Sequence, residues 1–242
     1  MSKDLIIKRF AKCLSTYNSN AHVQKQMAEH LLASLGSRKS FNNILEIGCG
    51  SGVLTSLANE NLNFNVYTAN DIVNECEAYI KKINSDIKFI SGDIETILAK
   101  NQAKYDLIIS NASLQWVSNL PSLIFKLVNN LNKDGVLLFS TFGKENFREI
   151  AFVQGIKLNY YSKSEICTMF KELTPVVEEE IRIMAFKTPK EVLKHIQKTG
   201  VNSLEESFWT KQDFKNFENG YNNICSKSPT LTYNPIYVKI CI

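Results

Sequence analysis

Glu46 stands just ahead of Gly48, Gly50 and Gly52 in the stretch NILEIGCGSG that spans Asn43–Gly52. An apolar run that carries a carboxylate near its end and then breaks into alternate glycines reads as a buried strand, a tight turn and a helix. Glycine at such places lets the backbone take unusual dihedrals and lets a ligand lie against bare main chain. The spacing excludes one ligand class. A dinucleotide fingerprint G-x-G-x-x-G, counted from Gly48 and Gly50, requires glycine at position 53, where this chain has Val53. A carboxylate beside the turn would repel a pyrophosphate and suits a ligand with a cationic end. Taken alone, the same turn also fits a purely structural strand-to-helix corner. Cys49 lies inside the turn, but no histidine is near in sequence to activate it, and small residues are what such a turn admits.

Two further acids fall at positions with chemical meaning. Asp71 follows a predicted strand at 65–69, about twenty residues beyond the glycine turn, where an acidic residue accepts hydrogen bonds from ribose hydroxyls. It equally fits the N-cap of a helix starting at Ile72. Asp93 follows a third predicted strand, 87–90, and leads into Ile94; it too fits an N-cap. A fourth strand, 105–110, runs into the loop NASLQWV at 111–117. In an open α/β sheet, ligands bind outside the carboxyl ends of the strands, so this loop is expected to face the ligand.

The elements that must position these residues alternate from 43 onward as strand and helix, which implies a parallel sheet with crossover helices. Residues 3–16 and 20–35 read as amphipathic helices ahead of it, with Val23, Met27, Leu31 and Leu35 on one face of the second. Tyr17–Asn20 reads as a polar break that caps the second helix. Tyr17 in such a loop either packs or closes over a ligand. After a fifth strand at 135–140 the pattern predicts a helix at 146–152, a polar loop holding Tyr160 and Tyr161, and a short helix at 164–173. A strand at 176–185, a basic helical segment at 188–224 and a final strand at 231–242 complete the chain. Residues 186–230 thus interrupt a hairpin, and an insertion there is expected to act as a lid at the ligand end of the sheet.

Length and composition bound the possibilities. The 242 residues suffice for one large α/β core with a modest accessory region. No apolar run approaches a membrane span and the N-terminus lacks the features of a signal peptide, so a cytoplasmic location and no membrane partner are expected. A net charge of +4 is too weak to imply nucleic acid. The six cysteines, Cys13, Cys49, Cys76, Cys167, Cys225 and Cys241, are scattered without C-x-x-C spacing or nearby histidines, which argues against a disulfide framework and against a bound metal.

The E-x-G-x-G-x-G pattern resembles motif I of the class I S-adenosylmethionine (SAM) methyltransferases. That resemblance implies a Rossmann-like α/β sheet, mostly parallel with an antiparallel last strand, flanked by helices and carrying a helical lid insertion. It also implies SAM as cofactor. Glu46 would orient the methionyl amino group, Asp93 would bind the adenine amino group, and Ile94 would pack on the ring. The donor site so implied comprises Tyr17, Gln24, Glu46, Gly48, Cys49, Gly50, Gly52, Asp71, Ile72, Asp93, Ile94 and Asn111. The loop at 111–117 lacks the N-P-P-Y type sequence with which amino-group methyltransferases hold flat amines, so bases and exocyclic amines are not the expected acceptors.

Several stretches narrow the resemblance. The N-terminal Phe10, Ala11, Tyr17, Ala21 and Gln24, the NASLQWV loop, FSTFG…NFREI at 139–150, VLKHIQKTGVNSL at 192–204 and LTYNPIY at 231–237 look like the malonyl-acyl-carrier-protein O-methyltransferases of biotin synthesis. The resemblance covers most of the chain. It implies one SAM-dependent methyltransferase domain over 1–242: N-terminal helices at 1–36, a SAM-binding core at 43–152, a substrate-side region at 153–230 with the lid at about 186–230, and the last strand at 231–242. The implied reaction methylates the free carboxylate of a malonyl thioester on acyl carrier protein. Such a carboxylate is already ionised at neutral pH and needs no general base, and no histidine–carboxylate constellation is evident.

Acceptor and partner residues follow from the same resemblance. Arg148, just beyond the fifth strand, is the first candidate to hold the carboxylate, because a guanidinium grips it bidentately; a solvated helix face is the alternative. Tyr17, Gln115 and Trp116 are candidates for closing the reaction site. Lys190, Lys194 and Lys198 recur four apart, with Lys187 and His195 nearby. This stripe is either a solvated face or a dock for the acidic helix of a carrier protein. Two readings compete with the carrier-protein enzyme: a methyltransferase for a small free acid or quinone-like metabolite, and a SAM-binding protein without catalysis.

Overall fold

The structure, a computed structural model, describes residues 3–100, 103–156, 159–199, 210–225 and 228–242. Two helices lead the chain, α1 (Lys3–Asn20) and α2 (His22–Ala33). The alternating core follows as β1 (Ser40–Ile47), α3 (Val53–Asn61), β2 (Asn63–Asp71), α4 (Glu77–Ile83), β3 (Lys88–Ser91), α5 (Ile94–Lys100), β4 (Tyr105–Ser110), α6 (Leu120–Asn129) and β5 (Leu131–Phe142). Beyond it lie α7 (Arg148–Gln154), α8 (Lys163–Met169), β6 (Val176–Glu179), β7 (Arg182–Ala185), α9 (Pro189–Lys198), α10 (Lys211–Ile224), β8 (Thr230–Tyr233) and β9 (Pro235–Cys241).

Seven strands form one sheet in the order β3-β2-β1-β4-β5-β9-β6, and β9 runs antiparallel to both of its neighbours. Within the parallel half β1, β4 and β5 are buried on both faces over most of their length, as crossover helices require, while the edge strand β3 is not. In β4, Leu107 and Ile109 join the core layer that holds Leu31, Ile44 and Tyr67, while Ile108 points into the opposite layer with Leu123, Leu127 and Leu137. Helix α6 starts sharply because Asn119 Oδ1 accepts the Ser122 N–H and Pro121 sits in the first turn. The strand order reverses between β1 and β4, so their carboxyl ends open a crevice.

Several boundaries differ from the sequence expectation. Helix α1 continues through Tyr17–Asn20: Thr16 and Asn20 satisfy their side chains on carbonyls of the same helix, and the kink falls at Ala21, which offers no side-chain cap. No helix starts at Ile72. Val73 is extended, a 3-10 turn covers Asn74–Cys76, and only then does α4 begin. The strands expected at 176–185 and 231–242 are each broken. β6 pairs with β9 in the main sheet and β7 pairs with β8 in a separate two-stranded sheet, with Asn234 buried at the corner and donating to Glu179 Oε1 and the Glu180 carbonyl. The expected insertion contains α9 and α10; its residues 200–209, including part of the 192–204 match, lie outside the described residues.

One buried carboxylate ties the last part of the chain to the core. Glu149 on α7 is 7% exposed and accepts from the Thr232 N–H at 2.9 Å, the Thr232 hydroxyl at 2.6 Å and the Thr230 hydroxyl at 3.2 Å. Truncating it leaves those donors unpaired, and bonds to a charged acceptor are worth about 1.5–3 kcal/mol each. Glu149→Ala should therefore lower stability by at least about 2–3 kcal/mol in urea unfolding, with Glu149→Gln losing less. A loss under about 0.5 kcal/mol, the scale of an ordinary surface substitution, would contradict this role.

Candidate active site

An inner cavity lies at the carboxyl ends of β1, β2 and β4. Its walls come from the turn at Gly48–Ser51, from Asn70–Val73, from Gly92–Glu95, from Asn111–Ser113 and Gln115–Val117, and from one face of α1. Glu46 closes its floor. This carboxyl is 1% exposed, and both of its hydrogen bonds fall on Oε2, from Thr55 at 2.6 Å and from Tyr67 at 2.7 Å. Burial pushes its pKa up to about 7, against the two hydroxyl bonds that lower it. No cation among the described residues neutralises it, which suits a ligand with an ammonium group.

The glycines divide by role. At Gly48 a Cβ would sit 1.9 Å from Ser113 Oγ, because the turns after β1 and β4 touch there. At Gly50, with φ of +54°, a Cβ would meet the Phe10 ring at 3.0 Å, and its N–H donates to Asp71 Oδ2 at 2.8 Å. Gly52 does not line the cavity. Its Cβ would meet Ile83 Cδ1 at 2.4 Å and its φ is +85°, so it serves the packing of α4 and the start of α3, which corrects its place among the ligand-binding residues.

Tyr17, Gln24, Glu46, Gly48, Cys49, Gly50, Asp71, Ile72, Asp93, Ile94 and Asn111 all line the cavity. Asp71 is buried, with Oδ1 accepting the Val73 N–H and Oδ2 the Gly50 N–H, so it holds the turn as well as facing the ligand space. Asp93 caps α5 through the Glu95 N–H and pairs with Lys3, which also bonds Glu95 at 2.9 Å. Burial raises the Cys49 thiol, which removes it as a nucleophile. Gln24 is the clearest sign of a polar ligand: it is 2% exposed, yet neither its Nε2 nor its Oε1 has a partner among the described residues. An ammonium for Glu46 and a polar group for Gln24 together fit the amino-acid end of SAM.

A wider groove adjoins the cavity, and Lys3, Ile6, Arg9, Gln115, Trp116, Val117 and Phe142 line both. The groove continues past Lys144, Asn146, Tyr160 and Tyr161 to Phe217 on α10. Gln115 and Trp116 thus stand at the junction, where an acceptor would meet a donor. Arg148 does not. The left-handed Phe147 before it turns α7 so that Arg148 is exposed and bonds Glu145 at 3.3 Å, on the solvated face. Two cations line both spaces: Lys3, which pairs with Asp93 and Glu95, and the half-buried Arg9, next to Phe10 in sequence. Lys187, Lys190, Lys194 and Lys198 are all exposed on and beside α9, whose following residue Thr199 lines the inner cavity.

Comparison with known proteins agrees with this geometry. Residues 19–174 match the family described as a methyltransferase domain. A malonyl-[acyl-carrier protein] O-methyltransferase of Chlorobium luteolum is 35% identical over 97% of this chain and 94% of its own length. One of Calditerrivibrio nitroreducens is 36% identical over 94% of this chain and 92% of its own. The chain belongs to the malonyl-[acyl-carrier protein] O-methyltransferase family. The plantazolicin methyltransferase BpumL, solved with a triazolic desmethylPZN analog and SAH, shares the fold, with a TM-score of 0.54 at 16% identity over 97% of each chain. As a member of this methyltransferase family the chain is an enzyme with a class I SAM methyltransferase fold, and SAM is its cofactor.

Thr55, Tyr67, Ser113, Phe10 and Arg9 escaped the sequence reading. The helical spacing after the glycine turn brings Thr55 back over Glu46, and the parallel register sets Tyr67 beside it, opposite Ile44 of β1, so only the folded sheet reveals the pair. Phe10 belonged to the matched N-terminal residues but carried no role there.

The raised pKa of Glu46 gives a signed expectation. Because the folded carboxyl sits above its unfolded value, its contribution favours the fold at low pH and is lost as pH rises through about 7. A bound ammonium reverses this by requiring the ionised form. Between pH 5.5 and 6.5 the dissociation constant for SAM should fall by about tenfold, while Glu46→Gln should bind more weakly with a flat profile over the same range. A flat wild-type profile in calorimetry would contradict the role given to Glu46.

Proposed function

We propose that this chain transfers a methyl group from SAM to the free carboxylate of a malonyl group carried on acyl carrier protein. The observation that carries the reading is the shared wall: an inner cavity with an unneutralised carboxylate opens, past Gln115, Trp116 and Phe142, into a groove lined by Lys3, Arg9 and Lys144. The names of the relatives supply the acceptor. SAM bound in the inner cavity supplies an electrophilic methyl group.

What the chain's own residues do follows from the chemistry of a carboxylate nucleophile. The acceptor is ionised at neutral pH, so no base is required. Arg9 takes the part first given to Arg148 and holds the carboxylate at the junction by charge-assisted hydrogen bonds. Trp116, Phe10 and Phe142 exclude water, which strips the carboxylate of its hydration and aligns it for in-line displacement. Tyr17, edge-on to Phe10 at 5.2 Å, closes the cavity from α1. Methylation removes the charge that chain-elongating enzymes would reject, so the product enters pimeloyl and biotin synthesis.

The carrier protein docks on α9. Its lysines present positive charge beside the entrance, and complementary charge chiefly raises the encounter rate and fixes orientation. The direct test compares initial rates on malonyl-acyl carrier protein, free malonate and a quinone-like phenol with SAM. Methylation of the carrier-bound acceptor alone is expected; preference for a free acceptor, or SAM binding without any turnover, would overturn the reading. Reversing Lys194 and Lys198 to Glu should raise the apparent KM for the malonyl carrier protein, an effect that salt diminishes, and leave a short malonyl thioester unaffected. Equal loss on both acceptors would contradict docking on this face.

A further inference from the structure

The groove has a polar feature that methyl transfer to a carboxylate does not by itself require. Asn146 lies in the turn between β5 and α7 and is 1% exposed, yet it lines the groove. Its Oδ1 accepts the backbone N–H of Asn234 at 3.2 Å, which fixes the orientation of the amide. The Nδ2 end therefore points away from Asn234, toward the Tyr160 phenol, and makes no well-formed hydrogen bond among the described residues. A buried donor so incompletely met is disfavoured until a ligand acceptor completes it.

A second donor stands beside it. The Tyr160 ring packs edge-on to Phe142 at 6.4 Å, and Phe142 lines both the groove and the inner cavity. Burial pushes the Tyr160 phenol up to about 12, with the Asn146 amide close enough to draw it back, so the hydroxyl stays protonated and able to donate. Both donors are neutral. They match a carbonyl oxygen better than a second carboxylate, whose charge already has Arg9 at the junction.

We propose that Asn146 Nδ2 and the Tyr160 hydroxyl form a carbonyl-binding pair that receives the thioester oxygen of the acceptor and so selects a malonyl group by length. The assignment rests on the malonyl reading. In that acceptor the thioester carbonyl lies one methylene beyond the carboxylate, on the side of Phe142 away from the donor. A diacid longer by one methylene moves its carbonyl out of register and leaves both donors unpaired. Sites built to hydrogen-bond a substrate group discriminate strongly against analogues that fail to present it.

The test uses the full chain with SAM and two short acceptors, the malonyl and succinyl thioesters of N-acetylcysteamine. Asn146→Asp keeps an oxygen for the Asn234 N–H and removes the donor. The wild type should favour malonyl, and Asn146→Asp should lose about tenfold to a hundredfold in kcat/KM on malonyl while changing little on succinyl, with SAM affinity and melting temperature held. Tyr160→Phe should shift the same ratio in the same direction and stands in for Asn146→Asp if that variant melts early. Equal rates of the wild type on the two thioesters, equal loss on both in the variants, or full activity of both variants on malonyl would each overturn the assignment. Failure of the wild type to methylate either thioester or malonyl-acyl carrier protein would instead overturn the malonyl reading, and the carbonyl pair with it.

Discussion

The site depends on a carboxylate buried without a cation. Glu46 stands one residue before the end of β1, inside the sheet, and an ionised group there is strongly disfavoured unless something pairs with it. Two hydroxyls from different elements, Thr55 on α3 and Tyr67 on β2, bond one of its oxygens and leave its pKa near 7. The protein thus completes half of the coordination of that carboxylate and reserves the other half. Ligand selectivity follows: a phosphate is repelled, and an ammonium is drawn into a place where solvent screens it little.

The rest of the inner cavity keeps that reserved oxygen dry and reachable. Gly48 allows the turns after β1 and β4 to touch, and Gly50 lets the Phe10 ring of α1 close down onto the turn. Helix α1 lies across the opening, tied at one end by Lys3 to Asp93 and Glu95 and at the other by Ser51, which donates to Asn18. The N-terminal helices therefore form one wall of the site. Phe142, at the end of β5, is the partition between donor and acceptor spaces, which makes the position of the longest strand a matter of chemistry as well as of core packing.

How far this was legible in the sequence depended on how local each cause is. Glu46, Gly48 and Gly50 were readable because a strand, a turn and a helix follow one another along the chain, and Asp71 because the crossover between neighbouring parallel strands has a characteristic length. The seven-stranded order was readable as a class from the alternation of elements, but the corner at Asn234, which splits the last hairpin into two sheets, has a tertiary cause in the bonds to Glu179 and Glu180. Arg148 was misplaced because nearness to the end of β5 does not determine which way the next helix faces; a single left-handed residue, Phe147, does. Gly52 was misread for a related reason: glycine spacing marks positions without a side chain, and only the fold tells whether a ligand or Ile83 fills the space. The polar residues after Tyr17 read as a loop, whereas Asn20 bonds back to the Thr16 carbonyl and α1 runs on through them to Asn20.

The central claim is that the free oxygen of Glu46 is kept for the amino group of the methyl donor. Carbon-13 NMR of the glutamate side-chain carboxyls, with Glu46 assigned by its Gln variant, reads this directly. The account predicts a carboxyl that titrates near 7 in the free protein and falls well below its ordinary range when SAM is bound, while a donor analogue lacking the amino group leaves it near 7. A Glu46 resonance that titrates identically with and without SAM would contradict the account.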